Sequence, residues 1–241
     1  MRKQLKIIII IILILLFCLI IFGIYYFINK VKSNFDVDTK FKFGLCDIKE
    51  PYMDPRIIKN IITKNEAQEL INWARPKLGP AELTSYTKTD LSHRNNTLAW
   101  CPKTHPISKK IIKKAMQITN LPEENFEKIQ ICNYQKGQFF KPHQDQCTTN
   151  DEPCIAELKR GGQRLFNILL YLNNNFEGGE TYFTKLNKKY KLPIGAGVLW
   201  AMTNKKGNQV HPLAEHSGLP ITSGEKWIAN IWARKSEFVE N

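Results

Sequence analysis

Residues Ile7 to Ile28 form 22 consecutive uncharged residues dominated by Ile, Leu and Phe. At about 1.5 Å of rise per residue, a helix of that length covers the roughly 30 Å hydrocarbon core of a bilayer. A cleaved leader would be shorter and would end in a small-residue site. Here the run continues through Gly23-Ile24-Tyr25-Tyr26-Phe27 with no Ala-x-Ala-like site behind it. The expectation is a retained signal anchor. The 241 residues then divide into a tail at 1–6, a transmembrane segment at 7–28, a linker at 29–55 and one domain of ordinary size at 56–241. Arg2, Lys3 and Lys6 precede the span and Lys30 and Lys32 follow it, a weak positive-inside bias. The orientation expected is a cytoplasmic amino end with the bulk of the chain translocated.

The formal net charge of +13 raises nucleic acid as a partner, but its distribution argues against one. Seven Lys/Arg against two Asp in the first 42 residues give +5, leaving +8 for the rest (13 − 5). Lys outnumbers Arg 28 to 7, whereas phosphate and base recognition lean on the Arg fork. Lys109-Lys110, Lys113-Lys114 and Lys188-Lys189 read as solvated faces. Of the six cysteines, Cys18 falls in the span and Cys132 in an apolar strand pattern, a buried thiol. Cys147 and Cys154 flank a polar loop that a disulfide would close in an oxidising compartment. No CxxC occurs, so no structural zinc site is expected.

Thr63-Lys64-Asn65-Glu66 is a capping box ahead of Ala67, Leu70, Ile71 and Ala74, which predicts an amphipathic helix. A second helix is predicted from about Ser108, with Ile111, Ile112, Ala115 and Met116 inward. From Glu127 the texture changes to short apolar or alternating runs: Ile129–Tyr134, Leu165–Leu172, Glu180–Phe183, Gly197–Met202 and Lys226–Ala233. Turn pairs such as Gly161-Gly162 and Gly178-Gly179 separate them. Helices followed by many short strands predict an α+β fold, a helix-backed sandwich or barrel.

His143-Gln144-Asp145 ends an extended segment, and positions i and i+2 of a strand share a face. His216, 71 residues beyond Asp145 (216 − 145), would complete two histidines and a carboxylate. That set leaves open positions on an octahedral ion, the arrangement of non-haem Fe(II) oxygenases. By itself HxD is a common pattern. Lys226 adds weight, because a Lys entering a β-core needs an anionic partner. A dicarboxylate chelating the ion at one end would present its far carboxylate there, with Tyr134 and Thr181 as hydroxyl donors. His211 is a rival third ligand, at a different separation from Lys226.

Tyr134-x8-His143-x-Asp145, Gly162-Gln163-Arg164, Tyr171-Leu172, Gly178-Gly179-Glu180-Thr181, His216-Ser217-Gly218-Leu219-Pro220-Ile221 and Gly224-Glu225-Lys226-Trp227 together resemble the prolyl 4-hydroxylases. The likeness is greatest to the short single-domain type of plants, algae and large viruses, over roughly residues 56 to 238. The resemblance implies a double-stranded β-helix (jelly-roll) core backed by N-terminal helices. It implies Fe(II) with 2-oxoglutarate and O₂ as cosubstrates, ascorbate alongside them, and hydroxylation of peptidyl proline at C4 with release of succinate and CO₂. It puts His143, Asp145 and His216 on iron and Lys226, Tyr134 and Thr181 on 2-oxoglutarate. Arg164 and Trp232 match positions lining the groove for a Pro-rich peptide or protein. With the anchor, it implies a type II protein of the endoplasmic reticulum membrane with a lumenal catalytic domain, or of a viral or host membrane for a viral source.

Phe140 stands where the family often has Tyr, and the segment Gln146 to Lys159 departs from the family. Both lie where a peptide would be selected. The other readings are an oxygenase acting on lysine or on a small molecule, an inactive membrane-tethered binding module, and a zinc hydrolase. The latter two have no need of Lys226 with Tyr134 and Thr181.

Overall fold

Thr63 opens the first helix as its sequence predicts. In the computed structural model of the chain, which describes Leu19 and residues 41–81 and 91–240, the Thr63 hydroxyl accepts from the Glu66 N–H and the Glu66 carboxylate accepts from the Thr63 N–H at 2.8 Å. Helix α1 (Lys64–Ala74) buries Ala67, Leu70, Ile71 and Ala74, one stripe at helical spacing. Helix α2 (Pro106–Thr119) starts two residues before Ser108, because His105 accepts the Ile107 N–H and Pro106 takes the first turn, where no N–H is required. Helix α3 (Glu152–Lys159) takes in the last two residues, Glu152 and Pro153, of the stretch expected as a polar loop. Asp151 caps it by accepting the Cys154 N–H at 3.0 Å. The span at 7–28 lies outside the described residues apart from Leu19, which is helical and exposed. Among the described residues no helix is long and apolar enough to cross a membrane.

Among the described residues thirteen strands occur, in chain order: β1 (Arg56–Ile58), β2 (Gly79–Pro80), β3 (Thr97–Cys101), β4 (Ile129–Tyr134), β5 (Phe140–His143), β6 (Arg164–Tyr171), β7 (Glu177–Gly178), β8 (Thr181–Phe183), β9 (Lys188–Tyr190), β10 (Gly197–Ala201), β11 (His216–Gly218), β12 (Ile221–Ser223) and β13 (Lys226–Arg234). They build a seven-stranded sheet in the order β1-β10-β6-β13-β4-β3-β2, a four-stranded sheet β5-β11-β8-β9 and the pair β12-β7. All the strand pairings are antiparallel.

The period of two along a strand divides the core. Ile129, Ile131, Ile168, Leu170, Leu199, Ala229 and Ile231 face α1 and α2. Their neighbours Cys132, Tyr134, Leu169, Tyr171, Val198, Trp200, Ile228 and Trp232 pack with Phe176, Phe183 and Ile221 on the other face. Strands β4, β10 and β13 are buried along their whole length, which is why they read as apolar runs rather than alternations.

The compact unit runs Phe41–Asn241, so residues 41–55, expected as linker, lie against the domain. The N–H groups of Lys42, Gly44 and Cys46 donate to the carbonyls of Asn208, Thr148 and Val210 at 2.8, 2.7 and 2.9 Å. The Tyr52 hydroxyl donates to the Ala201 carbonyl at 2.8 Å.

Candidate active site

Strand register assembles the site. His216 in β11 lies opposite His143 in β5, and directly opposed residues of antiparallel strands project to one side. Their ring centroids are 4.4 Å apart. Asp145 follows in a bend just past the end of β5, so convergence at i+2 survives although only His143 is in the strand. Its Oδ1 lies 3.4 Å from His143 Nε2 and its Oδ2 3.8 Å from His216 Nε2. One ligand atom from each of the three residues falls within 4.8 Å of the others.

The ring orientations suit an ion. His143 Nδ1 lies 2.7 Å from the Lys141 carbonyl and His216 Nδ1 3.1 Å from that of Ala214. A carbonyl only accepts, so in the neutral ring Nδ1 carries the proton and Nε2 presents its lone pair to the space between the three side chains. Burial and the adjacent His143 ring hold His216 down at about 4, hence neutral at physiological pH. Burial works to raise the Asp145 carboxyl, but the two imidazoles and Arg164 outweigh it and keep it ionised. Two imidazoles that turn Nε2 to one space and an ionised carboxylate beside them fit a divalent metal.

The carboxylate is itself held. Trp232 Nε1 donates to Asp145 Oδ2 at 3.0 Å, and Arg164 donates to the Asp145 carbonyl at 3.2 Å. Arg164 stacks on Trp232, its guanidinium carbon 3.8 Å from the ring centre. Arg164 and Arg234 share the buried Glu127 at 2.6 and 2.7 Å. Burial pushes Glu127 up, but the paired guanidinium groups more than offset it and hold it below its ordinary range. Arg164 and Trp232, expected along a peptide groove, thus line the cavity while buried and engaged with the protein. Phe140 stacks on His143, with centroids 3.5 Å apart and an interplanar angle of 15°. The Arg94 guanidinium carbon lies 4.6 Å from the Phe140 ring centre.

The far side of the site comes from the large sheet. Lys226 opens β13 directly opposite Tyr134, the last residue of β4. It is 2% exposed. Its ammonium donates to the Gly179 carbonyl at 2.6 Å, and among the described residues it forms no ion pair with a carboxylate. Burial lowers its pKa to about 8. The close approach needs glycine at 179: φ is +69°, and a Cβ would fall 2.1 Å from Ile221 Cδ1. The Thr181 hydroxyl meets that of Tyr171 at 2.9 Å, while Tyr171 donates to the Tyr190 carbonyl at 2.6 Å. The Thr181 proton therefore goes to Tyr171 in this arrangement. Burial also pushes Tyr134 well above its ordinary range, so it stays a neutral hydroxyl.

One cavity of about 370 Å³ is lined by His143, Asp145 and His216 at one place and by Lys226, Tyr134 and Thr181 at another. An ion at the first set and a free carboxylate at the second are what a chelating dicarboxylate requires. His211 is excluded from this cluster: it is fully buried, stacks on Tyr52 at 4.5 Å and bonds through Nε2 to the Glu50 carbonyl. Sequence reasoning overlooked the Trp232–Asp145 bond, the support of Thr181 by Tyr171, and Arg94. Only Tyr171 carried a signal, as part of Tyr171-Leu172.

Residues 129–234 match the profile of the 2OG-Fe(II) oxygenase superfamily. A protein of Acanthamoeba polyphaga mimivirus bearing the prolyl 4-hydroxylase name is 36% identical over 203 residues, covering 84% of this chain and 83% of its own. Prolyl 4-hydroxylase 1 of Arabidopsis thaliana is 33% identical over 202 residues, 75% of this chain and 69% of its own. Among solved structures, the 2OG complex of the viral collagen prolyl hydroxylase of Paramecium Bursaria Chlorella virus-1 superposes with a TM-score of 0.59 at 30% identity. It covers 75% of this chain and 95% of that one.

Proposed function

The chain belongs to the prolyl 4-hydroxylases of the 2OG-Fe(II) oxygenase superfamily, and from that premise we propose that it hydroxylates C4 of proline in Pro-rich peptide segments. Fe(II), 2-oxoglutarate and O₂ supply the oxidising chemistry when bound, decarboxylating the cosubstrate to succinate and CO₂ as one oxygen atom enters the substrate. The observation that carries the reading is the register that puts His143 opposite His216 and Tyr134 opposite Lys226 around one cavity.

In this reading His143, Asp145 and His216 would hold the metal, the two histidines through Nε2 and Asp145 through its carboxylate. The Nδ1 protons stay on the carbonyls of Lys141 and Ala214, and Trp232 fixes one carboxylate oxygen. Lys226 leaves the Gly179 carbonyl to pair with the distal carboxylate of 2-oxoglutarate, and Tyr134 donates its hydroxyl proton to the same group. Thr181 joins by turning its proton away from Tyr171. Buried Leu169 and Ile228 line the same cavity and keep water from the reacting centre. Arg164 and Trp232, which line the cavity, would face the substrate proline. A polyproline II segment, extended and without internal hydrogen bonds, suits an open groove.

The same reading makes the enzyme a type II membrane protein with residues 7–28 as anchor and its domain in the endoplasmic reticulum lumen, or in a viral or host membrane. The apolar run at 7–28 supports this, and protease protection of the domain in sealed microsomes tests it.

The deciding experiment incubates the full chain in detergent with Fe(II), 2-oxoglutarate, ascorbate and a library of Pro-rich peptides, read by mass spectrometry. The expected result is one added oxygen on proline with stoichiometric succinate. Succinate formation without oxygen on any proline across varied sequences would falsify the substrate assignment.

A further inference from the structure

Two thiols that the reaction does not use sit in the wall of the active-site cavity. Cys147 follows the carboxylate ligand Asp145 by two residues. Its backbone is pinned from both sides by Gln163, which accepts its N–H at 3.2 Å and donates to its carbonyl at 2.6 Å. Cys154 is the third residue of α3, with its N–H on Asp151. Cys147 Sγ lies 3.5 Å from the Cys154 carbonyl oxygen, and Cys154 Sγ accepts from the Thr149 hydroxyl at 3.4 Å. Both thiols are free and buried. The other described cysteines have different surroundings: Cys101 Sγ accepts from the Ser108 hydroxyl, Cys132 Sγ lies against Arg94, and the Cys46 N–H donates to the Val210 carbonyl.

We propose that Cys147 and Cys154 are a redox pair that closes to a disulfide and so locks the cavity wall following Asp145. The loop between them carries Thr148, whose carbonyl takes the Gly44 N–H. Closure would therefore stiffen a segment already tied to Gln163 and to residue 44. The oxidant is a small-molecule disulfide of the glutathione class. One protein thiolate attacks it, its S–S bond breaks, and one small thiol leaves. The second cysteine then displaces the other small thiol. The protein gains one S–S bond, the oxidant is reduced to two thiols, and the two protein hydrogens end on them. Because both thiols are buried, opening of the loop paces the exchange.

The test treats the full chain in detergent with oxidised or reduced glutathione, alkylates, and maps the peptides by mass spectrometry. In the oxidised sample, the single peptide carrying Cys147 and Cys154, which have no Lys or Arg between them, should escape alkylation and be lighter by two hydrogens, and the melting temperature should rise by roughly 4–8 °C. Cys147→Ser and Cys154→Ser should each abolish both effects, while Cys46→Ser should leave them. The KM for a Pro-rich peptide should change about threefold or more on oxidation, with the KM for 2-oxoglutarate unchanged. Both thiols remaining alkylated under excess oxidant, or a map pairing either with another cysteine, would overturn the proposal. A disulfide without any change in peptide KM would refute its hold on the wall. The mapping and melting readouts do not depend on the reaction assigned above, so failure of either idea is distinguishable from failure of the other.

Discussion

An ammonium that is 2% exposed, with one backbone carbonyl as its partner, is held in place against a large desolvation cost. Burial lowers the Lys226 pKa to about 8, so below that pH the group offers its charge to an incoming dianion. Above it, the free enzyme must first gain a proton. The KM for 2-oxoglutarate should be flat below pH 8 and rise about tenfold per pH unit above, measured with peptide saturating. Lys226→Ala should raise that KM by roughly 30-fold or more, since truncating one partner of a buried charge pair costs about 2 kcal/mol or more; an unchanged KM would remove Lys226 from cosubstrate binding. Trp232→Phe keeps the ring and deletes the donor to Asp145. Metal affinity should fall about 10–100-fold by Co(II) titration without peptide, and unaltered affinity would mean the indole bond does not position the carboxylate. That His143, Asp145, His216 and Lys226 share one cavity was legible because a Lys entering a β-core needs a partner of opposite charge. The Trp232 bond was not, because it joins residues 87 apart in sequence and exists only once β13 crosses the cavity.

Strands β4, β6, β10 and β13 announce themselves as apolar runs because both their faces are covered, one by helices and one by the smaller sheet. The short strands β5, β9, β11 and β12 carry little hydrophobic signal and exist through their neighbours. Helix α3 was hidden because it spans eight residues with Pro153 in its first turn, and its Asp151 cap also suits a turn. Two elements make the site depend on distant packing. Gly179→Ala would place a Cβ against Ile221 at a φ that L-residues avoid. It should cost about 1–3 kcal/mol, lower the melting temperature, and raise the KM for 2-oxoglutarate by shifting the carbonyl beneath Lys226. Glu127 joins the ends of β6 and β13 through Arg164 and Arg234. Glu127→Gln would leave the buried Arg164 without its carboxylate, while Arg234 keeps Glu157 at 2.7 Å; at about 3–5 kcal/mol, melting should fall by roughly 6–20 °C. Because its folded pKa is lowered, the stability it contributes is present above the unfolded carboxylate value of about 4.3 and is lost as pH falls through the folded value. Glu66, Asp145 and Glu225 are lowered as well, so an acid melt should show a smaller loss in the Gln variant than in the wild type.

The compact unit begins at Phe41, earlier than the start at residue 56 that composition suggests. Residues 41–46 look like charged connector, yet their N–H groups are bonded to residues 148, 208 and 210. Backbone bonding of this kind is invisible in side-chain pattern. Removing residues 1–40 should leave turnover of free peptides intact. Removing residues 1–46 should lower the melting temperature and disturb the loop at Thr148; equal stability of the two truncations would show that the strap contributes nothing. A last consequence concerns durability. His143 and His216 are 73 residues apart (216 − 143), and only the paired strands β5 and β11 bring them together. An ion that binds the folded chain alone is a clamp on its topology: at a hundred times its Kd it adds about 2.7 kcal/mol. Iron scarcity would therefore shorten the life of the molecule as well as silence it.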